Sequence, residues 1–567
     1  MDEISIVLCG EAGQGIQTVE KLSTKIVKNS GFNVFSTKEY MSRVRGGSNS
    51  TQIRISKKPV AAYIDRIDIL IPLSKDALPH LEKRISKKTI IMGEKNYIKN
   101  TNKYNVLELP FTEIAKNIGN TVFSNTIAVG LLSSICKIDR KLINSEIEKY
   151  FSRKSKEIIK NNIAAAEKGY ELGKELINKS KIKFDISKPN FKNNEIVLNG
   201  SEAIGLGAIA GGCNFISSYP MSPSTGVLTF LSQKSDDFDI VAEQAEDEIS
   251  AINMVLGAWY SGARAMVSTS GGGFALMTEG VSLAGMIESP VVIHLAQRPA
   301  PATGLPTRTE QGDLEHALYS GHGDFPKIIF APGTLHDGFF LTQKAFNLAD
   351  KYQVPVFVLT DQYYVDTYYN TEPFKHDLIK NQNYFIKTAK NYKRYQLTKN
   401  GISSRGIPGW GDGVVCVDSD EHDEEGRITE SMDIRTKMVD KRLKKLQEIK
   451  KEVISPELIG NKNYKTLVIG WGSTYHIIKE AISKISRKDI SFLHFKQVYP
   501  LHKDTLKFLK KAEKTIIVEN NPTSQFAKLI KLHTGYEIKN KILQYNGLPF
   551  SVETIETQIK KLIRGLK

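Results

Sequence analysis

Short apolar strands alternate with helical stretches through the middle of the chain, and this alternation constrains the fold more than any other feature. Between residue 195 and about residue 369, the strand-like segments read DIVAE, RAMVSTS, PVVIHLA, KIIFAP and PVFVLTD. Short apolar strands with helices between them are typical of a parallel α/β sheet. The sequence therefore predicts an α/β fold for this region.

The two ends of the chain repeat the pattern. Near the N-terminus the strand ISIVL is followed by the turn GEAGQG and a helical stretch to about Asn29, and near the C-terminus the strands are TLVIG, ISFLHF and TIIVEN. A lysine-rich linker spans 177–194, and the polar, loop-rich segment 370–455 interrupts the regular pattern. We expect a first domain over 1–180, a second over 195–370, a connecting segment over 371–455 and a last domain over 456–567.

Composition narrows the functional classes. The chain of 567 residues has four cysteines and no CxxC pair, so it carries no ferredoxin-type cluster motif of its own. No apolar stretch reaches the roughly 18 residues of a membrane span, and MDEISIVLCG has no signal-peptide pattern. We therefore expect a cytoplasmic protein without a membrane partner.

The formal charge of +16 comes from dispersed basic residues without interleaved aromatic residues, which argues against nucleic-acid binding. The favoured interpretation is a lysine- and asparagine-rich composition spread over solvated faces, and the alternative is attraction for an acidic partner or a polyanionic ligand. The densest basic run, KRLKKLQEIKK at 441–451, predicts an ordinary amphipathic helix.

The segment SSYPMSPSTG, residues 217–226, predicts a stiff loop. Each proline lacks an amide donor and biases the preceding residue toward extended geometry, so this segment is neither a helix interior nor a central strand. The loop carries several hydroxyl groups and follows a small-residue stretch. We take Tyr219, Pro220 and Ser222 as candidate ligand-binding residues.

Glycine turns supply a second set of candidates. In GEAGQG a strand, a glycine turn and a helix follow one another, so that amides at the helix start can cradle a phosphate. The spacing is GxxGxG and differs from the dinucleotide motif GxGxxG. STSGGGF at 268–274 is either a ligand-approach turn or a tight strand–helix turn. The candidates from these turns and from SRVRGG are Gly10, Gly13, Gly15, Arg43, Arg45, Gly271 and Gly272.

Taken in order along the chain, these motifs resemble the 2-oxoacid:ferredoxin oxidoreductases, in particular their fused gamma–alpha subunit as found in 2-oxoglutarate-specific members. The proline loop is similar to the family's YPITPSS loop, GEAGQG and RVRGG resemble its gamma-type domain, and VAEQAEDEISAINMVLGAWYSGARAMVSTSGGGF resembles its thiamine-binding region. The resemblance implies a gamma-type domain, a domain that binds the pyrimidine ring of thiamine diphosphate, and a transketolase C-terminal-like domain.

The chemistry of thiamine diphosphate needs a carboxyl group on N1′ of the aminopyrimidine, so that the cofactor can lose its C2 proton. Glu248 begins the apolar helix ISAINMVLGAWYSG, and the resemblance places the family's glutamate there. Glu243 and Glu246 are rivals, and a helix-start charge that complements the dipole is the alternative role.

Arg298 follows the apolar strand VVIHLAQ, at a strand's carboxyl end where α/β enzymes bind ligands. A planar guanidinium suits bidentate capture of a carboxylate. The resemblance implies that Arg298 and the Ser222 hydroxyl hold the 2-oxoacid carboxylate. Serine here replaces the family's threonine, methionine replaces its isoleucine, and Arg308 is the competitor for the arginine role.

Missing motifs indicate what a partner must supply. Gly411-Asp412-Gly413 resembles half of a Mg²⁺–diphosphate motif, but no asparagine follows before Asn461, so we interpret it as a decoy outside a clear strand end. The acidic stretch VDSDEHDEE at 417–425 lacks zinc-site spacing and predicts a structural or interface loop. The resemblance then implies a beta subunit that carries Mg²⁺ and a [4Fe-4S] cluster.

The predicted function is CoA-dependent oxidative decarboxylation of a 2-oxoacid with ferredoxin as electron acceptor, and 2-oxoglutarate is the expected substrate. Branched-chain or aromatic 2-oxoacids are the alternative substrates. The alternative from another class is a non-catalytic scaffold that binds a nucleotide at GEAGQG. That alternative gives no reason for Glu248, Ser222 and Arg298 to occur together.

Overall fold

The computed structural model describes residues 2–11, 15–42, 47–98, 103–179, 194–375 and 380–565. Up to residue 199 the strands and helices are, in chain order, β1 (Glu3–Glu11), α1 (Ile16–Asn29), β2 (Asn33–Glu39), β3 (Ser48–Ser56), β4 (Ile69–Pro72), α2 (Ala77–Leu81), β5 (Ile90–Gly93), β6 (Asn105–Glu108), α3 (Phe111–Ile118), α4 (Ser124–Ile135), α5 (Arg140–Tyr150), α6 (Lys156–Asn178) and β7 (Ile196–Leu198).

From residue 200 to residue 373 they are α7 (Gly200–Ala210), β8 (Phe215–Ser218), α8 (Thr225–Ser232), α9 (Ser235–Phe238), β9 (Val241–Gln244), α10 (Glu248–Tyr260), β10 (Ala265–Thr269), α11 (Gly271–Leu276), α12 (Thr278–Met286), β11 (Val291–Gln297), α13 (Leu314–Tyr319), β12 (Ile328–Phe330), α14 (Leu335–Tyr352), β13 (Pro355–Asp361), α15 (Gln362–Asp366) and β14 (Tyr368–Thr371). The rest of the chain contributes β15 (Phe385–Thr388), β16 (Arg405–Gly411), α16 (Met432–Lys450), β17 (Glu457–Ile459), β18 (Thr466–Trp471), α17 (Tyr475–Ile485), β19 (Ile490–Phe495), β20 (Gln497–Tyr499), α18 (Thr505–Lys511), β21 (Lys514–Glu519), α19 (Gln525–Thr534), β22 (Asn540–Leu543) and α20 (Val552–Arg564).

The chain divides into two compact units, one made of residues 1–199 and 366–373 and the other of residues 200–365 and 374–567. The predicted α/β, multidomain class is confirmed by the four sheets and their intervening helices. The short strands β7 and β14, at the two ends of the segment predicted as the second domain, pair with each other in the sheet of the first unit. The finer division at residues 180, 370 and 455 stays a prediction.

The first unit is built on an eight-stranded mixed sheet with the order β6-β5-β4-β1-β3-β2-β14-β7. Strand β1 lies inside it, parallel to β4 and antiparallel to β3. Because side chains alternate along a strand, Ile4, Ile6 and Leu8 pack into one core while Val7 and Cys9 pack into another on the opposite face. The predicted strand ISIVL is therefore covered on both faces.

The predicted strand–turn–helix at GEAGQG is present, since β1 ends at Glu11 and α1 begins at Ile16. Gly15 stands immediately before the helix with φ +75°, a backbone conformation that favours glycine. A methyl group on Gly15 would lie 2.7 Å from the Asn125 side-chain amide, so this close approach to α4 also requires glycine.

The second unit contains a seven-stranded sheet with the order β20-β12-β13-β11-β10-β8-β9. All neighbouring pairs are parallel except β12 with β20. The prediction of a parallel sheet for DIVAE to PVFVLTD is thus confirmed. Because the strands run in one direction, their carboxyl ends and the loops that follow them lie at one edge.

The C-terminal part of this unit has a five-stranded sheet with the order β17-β19-β18-β21-β22, and its core is continuous with that of the seven-stranded sheet. The connecting segment contributes the two-stranded sheet β15-β16 and α16. Three basic residues of α16 are buried, Lys441, Arg442 and Lys445. The expectation of an ordinary amphipathic helix with solvated lysines is therefore wrong for these three positions.

Within the described residues, no helix combines the length and the apolar character needed to cross a membrane.

Candidate active site at the carboxyl ends of the parallel strands

The loops after four neighbouring strands meet at one edge of the seven-stranded sheet. β8 ends at Ser218 and runs into the proline loop, and β9 leads to the start of α10. β10 ends at Thr269 before the three glycines, and β11 ends at Gln297 directly before Arg298. Open α/β sheets bind ligands outside the carboxyl ends of their strands. This edge carries most of the candidates from the sequence.

The proline loop and Arg298 are in contact. Nη1 of Arg298 donates to the backbone carbonyl of Ser222 at 2.7 Å. The hydroxyl of Ser224 donates to the backbone carbonyl of Met221 at 2.7 Å, a hydrogen bond within the loop that stabilises its conformation. Ser222 is half-buried, whereas Arg298 is buried and its Nε has no hydrogen-bond partner among the described residues. The structure thus brings Arg298 and Ser222 together, through the carbonyl of the serine.

The other two proline-loop candidates lie nearer the surface. Tyr219 is 40% exposed and Pro220 is half-buried, directly after the end of β8. An exposed tyrosine at the mouth of a site is available to contact a ligand or another chain.

Glu248 is the first residue of α10, at the position predicted from the sequence. Its helix is capped by Asp247, whose side chain accepts from the Ser250 amide at 2.7 Å, so Glu248 is not needed as the cap. Glu248 is only 3% exposed, and its Oε1 has no hydrogen-bond partner among the described residues. Burial is the main cause that raises the pKa of its carboxyl group, and the Arg298 charge partly opposes this rise.

The glycine turn after β10 lets backbone approach two buried carboxyl groups. A methyl group on Gly273 would lie 2.3 Å from Oε1 of Glu248, and one on Gly271 would lie 2.5 Å from both carboxylate oxygens of Asp313. A methyl group on Gly272 would meet only the Ala302 carbonyl, at 3.6 Å. Gly271 and Gly273 are therefore constrained by the acids, while Gly272 is exposed toward open space.

Asp313 is a site residue that the sequence reasoning missed. It is buried, its Oδ2 has no partner among the described residues, and its backbone amide donates to the Gln297 side chain at 2.9 Å. Burial, together with the charge of Glu310, raises the pKa of Asp313 to about 7, and the Arg298 charge opposes this rise. The available signal was its position in TRTEQGDL, fifteen residues beyond Arg298.

Arg298 is electrostatically coupled to both acids. Burial lowers the pKa of its guanidinium, and Asp313 and Glu248 raise it. The guanidinium stays charged because its ordinary pKa is far above neutrality. One cation thus serves two buried carboxyl groups in a site with several unsatisfied polar atoms.

A chain of buried polar groups lies beneath the site. The Ser268 hydroxyl contacts Nδ1 of His294 at 2.8 Å, and Nε2 of His294 contacts the Thr360 hydroxyl at 2.9 Å. Burial lowers the pKa of His294 to about 3. His294 is therefore neutral, and this chain ties β10, β11 and β13 together as a support.

The loop that carries Asp313 is anchored in the C-terminal part of the second unit. The Gln311 side chain donates to the Trp471 carbonyl at 3.0 Å and accepts from the Asn520 amide at 2.9 Å. Arg308, the competitor for Arg298, is half-buried in the same loop, where its side chain lies beside Gly547. Arg308 thus faces the C-terminal part of the second unit, whereas Arg298 contacts the proline loop.

In the first unit, Gly10 is buried in β1 opposite Asn49 of β3. Gly13, Arg43 and Arg45 lie outside the described residues. A cavity of about 330 Å³ opens beside the helix-start region, where Asn125 is one of its walls. Its other lining residues are Leu73, Glu94, Tyr97, Phe111, Thr112, Thr121, Val122 and Ser124.

The tripeptide Gly411-Asp412-Gly413 begins at the last residue of β16, so the expectation that it lies away from a strand end is wrong. The Asp412 amide donates to the Thr388 carbonyl at 2.8 Å, and the Gly413 amide donates to the Thr388 hydroxyl at 3.1 Å. These bonds belong to the small β15-β16 sheet. In the part of the chain that the structure describes, no three histidine, cysteine, aspartate or glutamate side chains are grouped to hold a metal ion.

The acidic loop 417–425 packs against its own surroundings. The His422 ring lies 3.9 Å from the Tyr395 ring, and Arg442 makes a bidentate pair with Glu421 at 2.9 and 3.0 Å. These contacts support the structural role predicted for the loop.

Comparison with known families matches two parts of the chain. Residues 206–441 match the family described as "Pyruvate flavodoxin/ferredoxin oxidoreductase, thiamine diP-bdg", and residues 5–172 match "Pyruvate ferredoxin/flavodoxin oxidoreductase". The first match contains Ser222, Glu248, Arg298 and Asp313.

Individual relatives give the same result. A 2-oxoacid:ferredoxin oxidoreductase subunit alpha from a Sulfolobus species is 32% identical over 634 aligned residues, which cover 99% of this chain and 97% of the relative. The 2-oxoglutarate synthase subunit KorA of Methanocaldococcus jannaschii is 33% identical over 57% of this chain and 88% of its own length. The structure of 2-oxoglutarate:ferredoxin oxidoreductase from Magnetococcus marinus, with 2-oxoglutarate, coenzyme A and succinyl-CoA bound, superposes with a TM-score of 0.92 at 29% identity, covering 99% of this chain and 100% of that one.

Proposed function

Because this chain belongs to the alpha subunits of the 2-oxoacid:ferredoxin oxidoreductases, we propose that it forms the substrate-binding half of a 2-oxoglutarate:ferredoxin oxidoreductase. The overall reaction converts a 2-oxoacid and coenzyme A into acyl-CoA, CO₂ and a proton. The two electrons released leave one at a time to two oxidised ferredoxins. The names of the relatives, together with the 2-oxoglutarate-bound structural neighbour, support 2-oxoglutarate as the substrate.

The observation that carries this proposal is the set of buried, unsatisfied polar atoms at the sheet edge. Oε1 of Glu248, Nε of Arg298 and Oγ of Ser270 all lack hydrogen-bond partners among the described residues, and so does Oδ2 of Asp313. Buried polar groups are normally paired, because leaving one unpaired costs about 1–3 kcal/mol. Several such atoms around one glycine turn indicate a site built for a polar ligand.

These residues fit thiamine diphosphate. When bound, this cofactor supplies a thiazolium carbon that can act as a nucleophile and an electron sink for decarboxylation. Glu248 would hold a proton at N1′ of the aminopyrimidine, for which a buried carboxyl group with a raised pKa is suited. The backbone at the half-buried Gly271 and the exposed Gly272, with Tyr219 and Pro220 of the proline loop, would form the walls around the ring.

Arg298 would bind the carboxylate of the 2-oxoacid. Its Nη1 is committed to the Ser222 carbonyl, and its unsatisfied Nε is free to donate to a ligand. A second hydrogen bond to the substrate would come from the Ser222 hydroxyl. Burial of Arg298 strengthens the attraction, because charges interact more strongly away from water.

We assign the Mg²⁺–diphosphate half of the cofactor site and the [4Fe-4S] cluster to a beta subunit. The four cysteines of this chain are all free, with Cys9, Cys136 and Cys213 buried and their thiol pKa values raised to about 12 by burial. The chain has no CxxC pair, and among the described residues no three cysteine, histidine or acidic side chains are grouped to hold a metal ion. Ferredoxin would receive its electrons from that partner.

The first unit would contact coenzyme A. The helix-start amide at Gly15 is suited to its phosphates. Gly13, Arg43 and Arg45, which lie outside the described residues, would add to this site as the motif residues that flank it in sequence. The cavity beside Asn125 lies at this end of the sheet. If Arg43→Ala and Arg45→Ala leave the KM for coenzyme A unchanged, this assignment is wrong.

The deciding experiment is co-expression with a beta-type subunit of the same family, followed by viologen reduction with coenzyme A and a panel of 2-oxoacids. We expect CoA-dependent reduction with 2-oxoglutarate and a smaller response with branched-chain and aromatic 2-oxoacids. The chain purified alone is the control and should be inactive. If the assembled complex shows no CoA-dependent turnover with any of the 2-oxoacids, the proposal is contradicted.

A further inference from the structure

Asp313 occupies a position where aspartate usually caps a helix, but it does not do so here. It is the residue before α13, and its side chain accepts no hydrogen bond from that helix. Aspartate at such a position commonly accepts from the second or third amide of the helix. The carboxyl group is instead turned toward the glycine turn, where both oxygens lie 2.5 Å from the place of a methyl group on Gly271.

The backbone of Asp313 is held in place independently of its carboxyl group. Its amide donates to Oε1 of Gln297 at 2.9 Å, and the Gln297 side chain in turn donates to the Thr360 carbonyl at 3.0 Å. Gln297 is the last residue of β11 and the neighbour of Arg298. The backbone of Asp313 is therefore fixed relative to Arg298 by the sheet, and its Oδ2 is left unsatisfied among the described residues.

Two charged groups face this carboxyl group. Glu310, on the same loop, raises the pKa of Asp313, and Arg298, from the loop after β11, lowers it. Burial outweighs both and places the pKa of Asp313 at about 7. Glu248, on α10, is coupled to the same guanidinium.

We propose that Asp313 is a positioning residue that takes up one proton when the 2-oxoacid carboxylate binds to Arg298. This inference rests on the proposed function, because it requires Arg298 to be the carboxylate site. The proton comes from solvent, no covalent bond is broken, and the net charge around Arg298 is unchanged by substrate binding. As an anion, Asp313 competes with the substrate for the guanidinium, whereas the neutral acid does not.

The charge count explains why a proton is needed. With Glu248, Asp313 and the substrate carboxylate all ionised, one buried guanidinium would face three negative charges. Like charges held close together in a buried site disfavour joint ionisation, so one of the acids becomes neutral. Asp313 is the better acceptor for this proton, because Glu248 carries the exchange at the cofactor in the proposed function and must remain free to titrate there.

The test is the pH profile of kcat/KM for 2-oxoglutarate in the assembled complex, from about pH 6 to about pH 9, since this quantity reports ionisations of the free enzyme. In the wild type we expect kcat/KM to fall about tenfold per pH unit on the alkaline side, as one-proton linkage requires. Asp313→Asn mimics the neutral acid, so its alkaline limb should be flat and its kcat/KM should exceed the wild-type value at the highest pH. An unchanged limb in Asp313→Asn would overturn the proposal.

Glu310→Gln is the matched variant and decides the question even if Asp313→Asn is not recovered in the complex. Removing the Glu310 charge lowers the pKa of Asp313, so the alkaline limb should keep its slope and begin at lower pH. A limb that does not move contradicts a role for Asp313. If the wild-type complex oxidises no 2-oxoacid, the proposed function fails. If it does and the limb is insensitive to both variants, only the role of Asp313 fails.

Discussion

Two regions of the second unit bury glutamates to almost the same extent, but they shift the pKa values of these glutamates in opposite directions. Glu288 is 1% exposed and Glu248 is 3% exposed. Around Glu288, Lys441 donates to both carboxylate oxygens at 2.6 and 2.8 Å, and Lys445 forms a second ion pair. Burial alone would raise the pKa of Glu288, but Lys445, Lys441 and Arg394 together lower it.

At Glu248 the balance is reversed. Burial raises the pKa of its carboxyl group, the Arg298 charge only partly opposes this, and Oε1 is unsatisfied. A buried carboxylate whose oxygens are paired is part of the fold, whereas one left with an open oxygen is prepared for a ligand. The difference teaches that pairing, more than burial, separates a structural acid from a candidate catalytic one.

The largest effect should come from Glu248→Gln in the assembled complex. A neutral amide cannot exchange a proton with N1′, so kcat should fall about 10²–10⁴-fold, with a much smaller change in the KM for the 2-oxoacid. Glu246→Gln is the control, because Glu246 is exposed and should tolerate the change. Steady-state viologen reduction measures both. Loss of activity in Glu246→Gln alone would mean that the catalytic acid was assigned to the wrong residue.

Much of this site could be predicted from the sequence, because its residues follow apolar strands directly. Arg298 comes after VVIHLAQ and Glu248 begins an apolar helix, so strand direction alone places both at one edge. Asp313 could not be found in this way. Its environment depends on the approach of Gly271 from α11 and on anchoring by Gln297, contacts between segments that are distant in the sequence.

The regions held by long-range contacts were predicted less well for the same reason. Lys441 and Lys445 lie in a basic run that is typical of a solvated face, and their carboxylate partner is about 150 residues earlier. Strands β7 and β14 stand at opposite ends of the middle segment, yet they pair with each other. Local pattern gives an element its type, but it does not give the partners that a charge or an edge strand meets.

The second prediction concerns the arginine that serves both acids. Arg298→Ala should raise the KM for the 2-oxoacid by up to several thousandfold, because it removes the only charge assigned to the carboxylate. This corresponds to a loss of up to about 5 kcal/mol of binding free energy. Arg298→Lys should recover part of this, since an ammonium cannot make two parallel hydrogen bonds. Cofactor binding should persist, and it is measured as the amount of thiamine diphosphate retained in the purified complex.

Arg308→Ala is the matched control for the arginine. Arg308 lies beside Gly547, in the C-terminal part of the second unit, so its removal should change the KM for the 2-oxoacid much less. A large effect in Arg308→Ala with a small one in Arg298→Ala would move the carboxylate site to the later arginine.

The third prediction tests the structural acid. Lys441→Met removes one partner of a buried ion pair, so the free energy of unfolding should fall by about 3 kcal/mol. Lys451→Met is the matched control, because Lys451 pairs with Glu448 at the surface and such pairs contribute only about 0–1 kcal/mol. Denaturant unfolding compares the two variants. If Lys441→Met changed the KM for the 2-oxoacid without changing stability, the Glu288 cluster would belong to the functional site and the comparison with Glu248 would fail.

The smallest effect should come from Ser222→Ala. The substitution leaves the Ser222 carbonyl on Arg298 and removes only the hydroxyl, so it separates the contact present in the structure from the one proposed for the substrate. If the hydroxyl donates to the charged carboxylate, its loss should cost about 1.5 kcal/mol of binding free energy, so the KM for the 2-oxoacid should rise roughly tenfold. Ser222→Thr, which restores the hydroxyl and restricts its rotation, should return the KM to the wild-type value or below. A KM that is the same in all three proteins would leave Arg298 as the only group on the proline-loop side that binds the carboxylate, with the loop acting through its backbone alone.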